Sequence, residues 1–282
     1  MTLPTFFIAG APKAGTDLLY YQLDQHPEIY MSSLKEPNFF ADEIRPENFH
    51  SSLQARVDKT VRETRKYIEA GARIKRFGGF VSNLSDYEKL FAAARSETAI
   101  GEGSVCYLWS RSAAAEISKL IPRAKIILTL MDPAERAFRQ YLKSLADGDV
   151  THSFAKHLDL AFEDRANSPL QIRLFNPFLS FGEYADQVGR YIKCFPRDQI
   201  CLSLYEDIEP NYWSWFSKVL EFLEVGTDFI PAAVQVPSTP QFGDRTAPLL
   251  QPEERARLVN FYRDDIRRLQ DQIGKDLSAW LR

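Results

Sequence analysis

The N-terminal segment shows a pattern that few folds accommodate, namely a buried strand, a glycine-bounded turn and a helix in immediate succession. Residues 5–10 (TFFIAG) form a short apolar run of the length of a buried strand. A turn that ends at Gly15 follows, and from Thr16 onward the leucines recur with a helical period. The dipeptide His26-Pro27 ends this helix, because the residue before a proline disfavours helical geometry. The chain therefore begins with a strand–loop–helix unit.

The same alternation of strand and helix continues along the chain. Residues 124–131 (AKIILTLM) give the strongest signal for a buried strand, and Asp132 and Pro133 then have the positions of an N-cap and a first helical residue. We therefore predict an α/β fold with a central, mostly parallel sheet and helices on both faces, in which ligands bind at the carboxyl ends of the strands. Further strands are predicted at 28–33, 98–103 and 199–205, and a loop at 34–40 follows the first of them. Further helices are predicted at 57–70, 85–94, 110–120, 181–194, 213–223 and 252–273.

The turn at residues 10–17 (GAPKAGTD) has the features of an anion-binding loop. Amides at the start of a helix and the helix dipole both attract an anion, while Lys13 adds a charge and Thr16 a hydroxyl donor. A Walker A loop would continue with Lys and Ser or Thr after its second glycine, whereas Thr16 and Asp17 follow Gly15 here. A small kinase is therefore disfavoured, and the alternative is a plain strand–helix turn with a surface lysine.

Charge and composition exclude several kinds of partner. The chain carries 35 Lys and Arg against 38 Asp and Glu, a net charge of −3, so bulk electrostatics do not favour a nucleic acid or polyanion. The N-terminal residues lack a basic region, and no stretch approaches the ~18 apolar residues of a membrane span. The four histidines show no metal-ligand spacing. We expect a cytoplasmic, soluble protein with no membrane, nucleic-acid or metal partner.

Seven short motifs, in order along nearly the whole chain, resemble those of the nucleotide-dependent sulfotransferases. PKAGTD at 12–17 is similar to the family's PKSGTT loop, KEPNFF at 35–40 to its KEPxFF segment, and LMDPAERAF at 130–138 to its LRxPxxRAY segment. The resemblance implies a single sulfotransferase-like domain over 1–282 with a P-loop-like fold. The other motifs are GEGS at 101–104 with Tyr107, GEY at 182–184, YED at 205–207 and GDRT at 243–246.

The resemblance also implies a reaction: a sulfuryl group passes from 3′-phosphoadenosine 5′-phosphosulfate (PAPS) to a hydroxyl of a small-molecule acceptor, without a metal. Glu36 would be the general base and Lys13 the cation at the leaving phosphate. The alternative for Glu36 is a surface residue paired with Lys35, and Glu102 is either a second acid–base group or an organiser of its loop. The donor-binding residues would be Lys13, Ala14, Gly15, Thr16, Asp17, Arg136, Arg139, Arg245 and Thr246.

Four departures from the family pattern fall in this donor site. Ala14 and Asp17 replace a Ser and a Thr of the loop, Met131 stands where an Arg grips the nucleotide 3′-phosphate, and Arg139 where a Ser shares that contact. Arg139 either substitutes for the missing arginine or is a solvated helix residue paired with Glu135. Two alternatives to PAPS transfer therefore stay open, a sulfotransferase-fold enzyme with another donor or reaction and a non-catalytic binding protein.

Two longer loops are predicted to complete the site. Residues 234–250, with their glycine and arginine, would close over the nucleotide. Residues 148–181 are rich in phenylalanine and would form the wall of the acceptor pocket, which favours an apolar or aromatic small molecule. The alternative is that most of these phenylalanines are simply core residues.

Overall fold

The structure, a computed structural model, describes residues 2–167, 172, 177–208, 211–233 and 248–282 of the 282-residue chain. Seven strands lie within these residues: β1 (Phe6–Ile8), β2 (Ile29–Met31), β3 (Leu34–Lys35), β4 (Arg76–Phe77), β5 (Ala99–Gly103), β6 (Lys125–Leu130) and β7 (Ile200–Leu204). Five of them form one parallel sheet in the order β2–β5–β1–β6–β7. Strands β3 and β4 pair separately, also in parallel. The predicted α/β class with a parallel sheet is confirmed.

Helices connect the strands of the main sheet. None of them, as far as the described residues go, combines the length and apolar composition needed to cross a membrane. Within these residues the α-helices are α1 (Thr16–Leu23), α2 (Gln54–Glu69), α3 (Leu84–Lys89), α4 (Cys106–Trp109), α5 (Ala113–Leu120), α6 (Pro133–Ala146), α7 (Phe154–Asn167), α8 (Tyr184–Cys194), α9 (Tyr205–Ile208), α10 (Tyr212–Leu223) and α11 (Pro252–Ile273).

Helices cover both faces of the sheet because successive residues of a strand point to opposite sides. On one face, Phe6 and Ile8 of β1 pack in a cluster with Leu19 of α1 and Leu220 of α10. On the other face, Phe7 belongs to a larger cluster with residues of α5, α6, α8 and α11, which we call the main core. Strand β1 is therefore buried on both sides, as a central parallel strand should be.

Local sequence signals place the boundaries of two helices correctly. Helix α6 begins at Pro133, and the carboxylate of Asp132 caps it by accepting a hydrogen bond from the Ala134 amide at 2.9 Å. Helix α11 ends before Gly274, whose φ of 65° lies in the left-handed region typical of a helix C-cap. Both boundaries agree with the sequence prediction.

Two segments predicted as loops contain regular structure. Residues 148–181 include α7, whose buried face carries Phe154, Leu158 and Ala161 at helical spacing, so the loop prediction is wrong there. Phe154 and Phe178 are main-core residues, whereas Phe175 lies outside the described residues. The loop predicted at 34–40 likewise starts with the two residues of β3. A strand of two residues is too short to show an alternating pattern.

The carboxyl ends of adjacent strands meet at one edge of the main sheet. Strand β1 leads into the loop at 9–15, β5 into Ser104, β6 into Met131 and Asp132, and β7 directly into α9 at Tyr205. Because the strands are parallel, these segments lie at the same edge, which is where α/β sheets bind ligands. The candidate site is built from them.

Candidate functional site

The loop after β1 is held against β6 and enters the left-handed region twice. The Ala11 amide donates a hydrogen bond to the Thr129 carbonyl at 2.7 Å, and a Cβ on Gly10 would lie only 2.1 Å from Thr129 Oγ1. Lys13 has a φ of 71° and Gly15 a φ of 82°. A non-glycine residue adopts this conformation at a cost in free energy, and such residues cluster at functional sites. Turns of this kind can aim successive amides at an anion.

The start of α1 offers further donors to an anion. Among the hydrogen bonds of the described residues, none is donated by the backbone amides of Lys13, Gly15, Thr16 or Asp17. The first amides of a helix have no acceptor within it, and the helix dipole makes this end positive. The Ala14 side chain does not point toward these amide donors, because it is fully buried in the main core. The loop and the helix start can together bind a phosphate-like group.

Lys13 is a cation without an ion-pair partner among the described side chains. Burial lowers its pKa most; the nearby ammonium groups of Lys143 and Lys35 lower it further, while Asp17 and Asp147 oppose the change. A partly desolvated ammonium of this kind gains more from an arriving anion than a solvated one does. The environment of Lys13 therefore favours the binding of a negatively charged ligand.

A buried lysine joins the two predicted loops. Lys35 is 1% exposed, and its Nζ lies 2.7 Å from Asp17 Oδ1 and 2.6 Å from Glu36 Oε1. Burial lowers the pKa of Lys35, but Glu36 and Asp17 together outweigh it, so that this pKa lies above its ordinary value. Burial raises the pKa of Glu36, and the ion pair with Lys35 reduces this rise without cancelling it. The pairing of Glu36 with Lys35 is present, but neither residue is at the surface.

Backbone contacts fix the position of Glu36. Its amide donates to the Gly103 carbonyl at 2.9 Å, and its Oε2 accepts from the Val105 amide at 2.9 Å. Glu36 and Asn38 both have a φ of 60°. The Asn38 side-chain amide holds this turn by donating to the carbonyls of Glu36 and Gly79, at 3.0 and 3.2 Å. A strained backbone that its neighbours hold so firmly keeps the carboxylate in one place.

Glu102 organises the turn rather than facing a ligand. Its side chain is fully buried and accepts hydrogen bonds from the hydroxyls of Tyr87, Tyr107 and Ser104, at 2.9, 2.8 and 2.8 Å. Burial raises the pKa of Glu102 to about 7, although these three hydroxyls lower it. Ser104 Oγ in turn accepts from the Asn38 amide at 3.2 Å. Of the two roles considered for Glu102, the geometry favours the structural one.

Met131 and Arg139 differ in how they face the site. Met131 is fully buried in the main core. Arg139 donates to the Tyr205 hydroxyl at 3.1 Å and to Glu135 at 3.2 Å, and its guanidinium lies 5.0 Å from the centre of the Tyr205 ring. That ring borders the phosphate loop, since a Cβ on Gly15 would lie 3.6 Å from it. The arrangement brings Arg139 near the loop and also includes the predicted Glu135 pair.

The other predicted donor residues are not gathered at this edge by the described contacts. Arg136 is fully buried, and its guanidinium donates to Gln140 Oε1 at 2.6 Å and to the Phe178 carbonyl at 2.7 Å. This burial favours a structural role for Arg136, and its contact with the nucleotide stays a prediction. Arg245 and Thr246 lie outside the described residues.

Lys35 is the residue whose importance sequence reasoning missed. It appeared there only as a possible surface partner of Glu36, although the apolar neighbours in LKEPNFF are a signal of burial. Its second partner, Asp17, is too distant in sequence for any local pattern to reveal. Across the described ranges, no cluster of three His, Cys, Asp or Glu side chains could hold a metal ion.

Comparison with known proteins shows which family this chain resembles. The model of the sulfotransferase family matches residues 4–228. Among solved structures, a sulfotransferase from Alicyclobacillus acidocaldarius is 30% identical in sequence, with a TM-score of 0.80 over 100% of both chains. The similarity therefore includes the loops that carry Lys13 and Glu36.

Curated relatives are similar over nearly all of this chain but are longer. The human bifunctional heparan sulfate N-deacetylase/N-sulfotransferase 2 is 25% identical, with 99% of this chain and 31% of the relative covered. Human carbohydrate sulfotransferase 15 is 24% identical, with 99% of this chain and 54% of the relative covered. The chain thus spans about a third and about half of the lengths of these two proteins.

Proposed function

This chain belongs to the sulfotransferase family, and we propose that it transfers a sulfuryl group from PAPS to a hydroxyl of a small-molecule acceptor. One observation carries the proposal: Lys13, a cation without an ion-pair partner among the described side chains, follows β1, and Glu36, a buried carboxylate, is hydrogen-bonded through its amide to Gly103 at the end of the adjacent strand β5. Asp17 and Lys35 join the two segments. Sulfuryl transfer requires these two functions, a cation for the leaving group and a base for the acceptor.

The donor half of the site is supported by the loop and by Arg139. The amides of the loop and of the α1 start, together with Lys13, suit the 5′-phosphosulfate. Arg139 uses two of the five N–H groups of a guanidinium on Glu135 and Tyr205 within the described residues, which leaves donors for a 3′-phosphate. In our proposal Arg139 takes the role of the arginine that Met131 replaces.

The reaction then follows from where the proton of the acceptor is taken up and where negative charge develops on the leaving group. Glu36 accepts the proton of the acceptor hydroxyl as its oxygen attacks sulfur, and the raised pKa of Glu36 makes it a stronger base than a solvated glutamate. As the bond between sulfur and the phosphate oxygen breaks, its electron pair stays on that oxygen, and Lys13 stabilises the charge. In-line transfer of this kind depends chiefly on positioning and electrostatics.

The class of acceptor has a second candidate. The net charge of −3 disfavours a polyanionic acceptor and supports a small molecule. The names of the curated relatives, a heparan sulfate N-sulfotransferase and a carbohydrate sulfotransferase, favour instead a sugar hydroxyl or amine. Both candidates use the same donor and the same two residues, so they differ only in what approaches Glu36.

Calorimetric titration with adenosine 3′,5′-bisphosphate (PAP) tests the donor half, with ADP and AMP as controls. We expect PAP to bind at least about 10-fold more tightly than ADP, because a charge-assisted contact to the 3′-phosphate is worth roughly 1.5–3 kcal/mol. Equal binding of PAP and ADP would refute PAPS as the donor and direct the search to another one.

Turnover of sulfate-labelled PAPS tests the acceptor half, with p-nitrophenol and a polysaccharide of unsubstituted glucosamine as alternative acceptors. Glu36→Gln should lower turnover by roughly 10²–10⁴-fold and leave PAP affinity unchanged, as expected for a general base. Glu69→Gln, at an exposed position on α2, is the control. If Glu36→Gln weakens PAP binding and spares turnover, Glu36 is not the base.

A further inference from the structure

We propose that Asp17 is a positioning residue for this reaction, because it shares the Lys35 ammonium with Glu36 and so couples the phosphate loop to the base. The inference rests on the proposed function, in which Glu36 takes the proton. Its physical basis is the pair of short contacts from Lys35 Nζ, 2.7 Å to Asp17 and 2.6 Å to Glu36. Asp17 lies in the first turn of α1, immediately after the loop that would hold the donor.

Lys35 cannot exchange these carboxylates for water. It is 1% exposed, its carbonyl accepts from the Gly78 amide at 2.8 Å, and the rings of Tyr20 and Phe77 lie 5.9 and 5.0 Å from its Nζ. A buried ammonium needs charged partners, and removing one of them shifts its whole interaction to the other. A change in the charge of Asp17 therefore alters the interaction of Lys35 with Glu36.

The sign of this coupling follows from the charges. One ammonium shared by two carboxylates leaves a net charge of −1, so Glu36 is only partly neutralised by Lys35. Without the charge of Asp17, Lys35 would neutralise Glu36 alone, and Glu36 would hold a proton less strongly. In agreement with this reasoning, the Asp17 carboxylate raises the pKa of Glu36. By sharing the Lys35 ammonium, Asp17 thus limits how far the ion pair with Lys35 lowers the pKa of Glu36.

Other charged groups around Glu36 do not duplicate this effect. Glu102, at the end of β5, is held in place by three hydroxyls, and burial raises its pKa to about 7, so that it is largely protonated below this pH. The Cys106 thiol of α4 is buried and its pKa lies well above the ordinary value, so it is neutral. Strand β4 contributes the uncharged Phe77, while its Arg76 is paired with Glu63 of α2 at 2.8 Å. Asp17 is the group that contacts Lys35 from the donor side.

Binding and chemistry should therefore respond to Asp17 in opposite directions. A carboxylate beside a phosphate site repels the ligand, so its neutralisation should leave nucleotide affinity unchanged or improve it. The same change should weaken the base and lower turnover. General damage to the fold would instead weaken both binding and turnover, and this difference separates a positioning role from a merely structural one.

The experiment compares Asp17→Asn with Asp24→Asn, which alters another aspartate–lysine pair at the far end of α1, 2.6 Å from Lys75. The pH titration of the Glu36 side chain is followed by carbon NMR of glutamate-labelled protein, with its signal assigned by loss in Glu36→Gln. Calorimetry with PAP and the pH profile of turnover complete the comparison. Asp17→Thr, a second neutral variant, guards against an Asp17→Asn protein that fails to fold.

We expect the Glu36 titration midpoint to fall by about 1 pH unit in Asp17→Asn and Asp17→Thr, and not in Asp24→Asn. PAP affinity should be equal or higher, turnover lower, and the acid limb of the pH profile shifted downward with the midpoint. An unchanged midpoint in a folded Asp17 variant overturns the inference. Failure of the wild-type protein to bind PAP or to transfer sulfate would overturn the proposed function instead, because the NMR titration requires neither donor nor acceptor.

Discussion

Arg139→Gln tests whether Arg139 binds the nucleotide 3′-phosphate in place of the arginine that Met131 replaces. Arg139 contacts Tyr205 at 3.1 Å and Glu135 at 3.2 Å, and its side chain is 31% exposed, so ligand can reach it. The Tyr205 ring under the guanidinium borders the loop at Gly15. A phosphate that binds across this edge would meet the guanidinium, and the neutral glutamine would remove that charge.

The expected size of the effect separates ligand binding from stability. A hydrogen bond to a charged group is worth roughly 1.5–3 kcal/mol, which corresponds to a loss of about 10–150-fold in PAP affinity. The surface pair with Glu135, four residues away on the same helix face, contributes only about 0.3–0.5 kcal/mol to folding. The melting temperature of Arg139→Gln should therefore change by no more than a few degrees.

Calorimetry with PAP and AMP measures this effect, since AMP lacks the 3′-phosphate. We expect Arg139→Gln to weaken PAP binding and to leave AMP binding nearly unchanged. Arg65→Gln is the matched control, because Arg65 makes the same kind of exposed pair with Glu69 on α2. Equal losses for PAP and AMP, or no loss for either, would refute the argument that Arg139 replaces the arginine absent at Met131.

Three further changes have defined outcomes. Lys13→Ala should reduce turnover by roughly 10²–10³-fold without unfolding the protein, as turnover assays and melting curves beside exposed Lys119→Ala will show. Because burial raises the pKa of Glu102 to about 7, the folded state binds its proton more tightly than the unfolded state, and stability falls as the pH rises through this value. Urea unfolding should show a loss of roughly 2–3 kcal/mol between pH 5 and pH 8 that Glu102→Gln lacks. Gly10→Ala should lower the free energy of unfolding by about 1–3 kcal/mol, because its Cβ would overlap Thr129 Oγ1 at 2.1 Å, and an unchanged urea midpoint would contradict this.

Sequence predicted the elements whose signals are local. The cap at Asp132 and the proline after it define the start of α6, and glycine at 274 defines the end of α11. Helix α7 was missed because its apolar residues are not confined to one face: Phe154, Leu158 and Ala161 are buried, whereas Leu160 and Phe162 are only partly buried. Strand β3 escaped because two residues cannot show a period. Both were stabilised by packing against distant elements, which no local window contains.

The candidate site shows the same division. The loops with Lys13 and Glu36 could be located from their residues, but the Lys35 bridge depends on where α1 and β3 lie in the fold. Considered alone, the Asp17 carboxylate is unfavourable beside a phosphate because the two negative charges repel each other. Lys35, at 2.7 Å, offsets part of the Asp17 charge from within the protein. A residue that departs from a family pattern can therefore be judged only together with its partner.

Arg139 extends this argument to the sheet itself. It lies seven residues after Asp132, about two helical turns, so helical geometry alone places Arg139 on the same face of α6 as Asp132. Its contact with Tyr205 requires more, because Tyr205 follows β7, and β7 is the neighbour of β6 only by the order of the sheet. The sequence suggested that Arg139 could compensate for Met131, and the strand order supplies the aromatic platform that holds it near the phosphate loop. Substitution of Tyr205 by leucine should therefore weaken PAP binding through Arg139, and not further in the Arg139→Gln background.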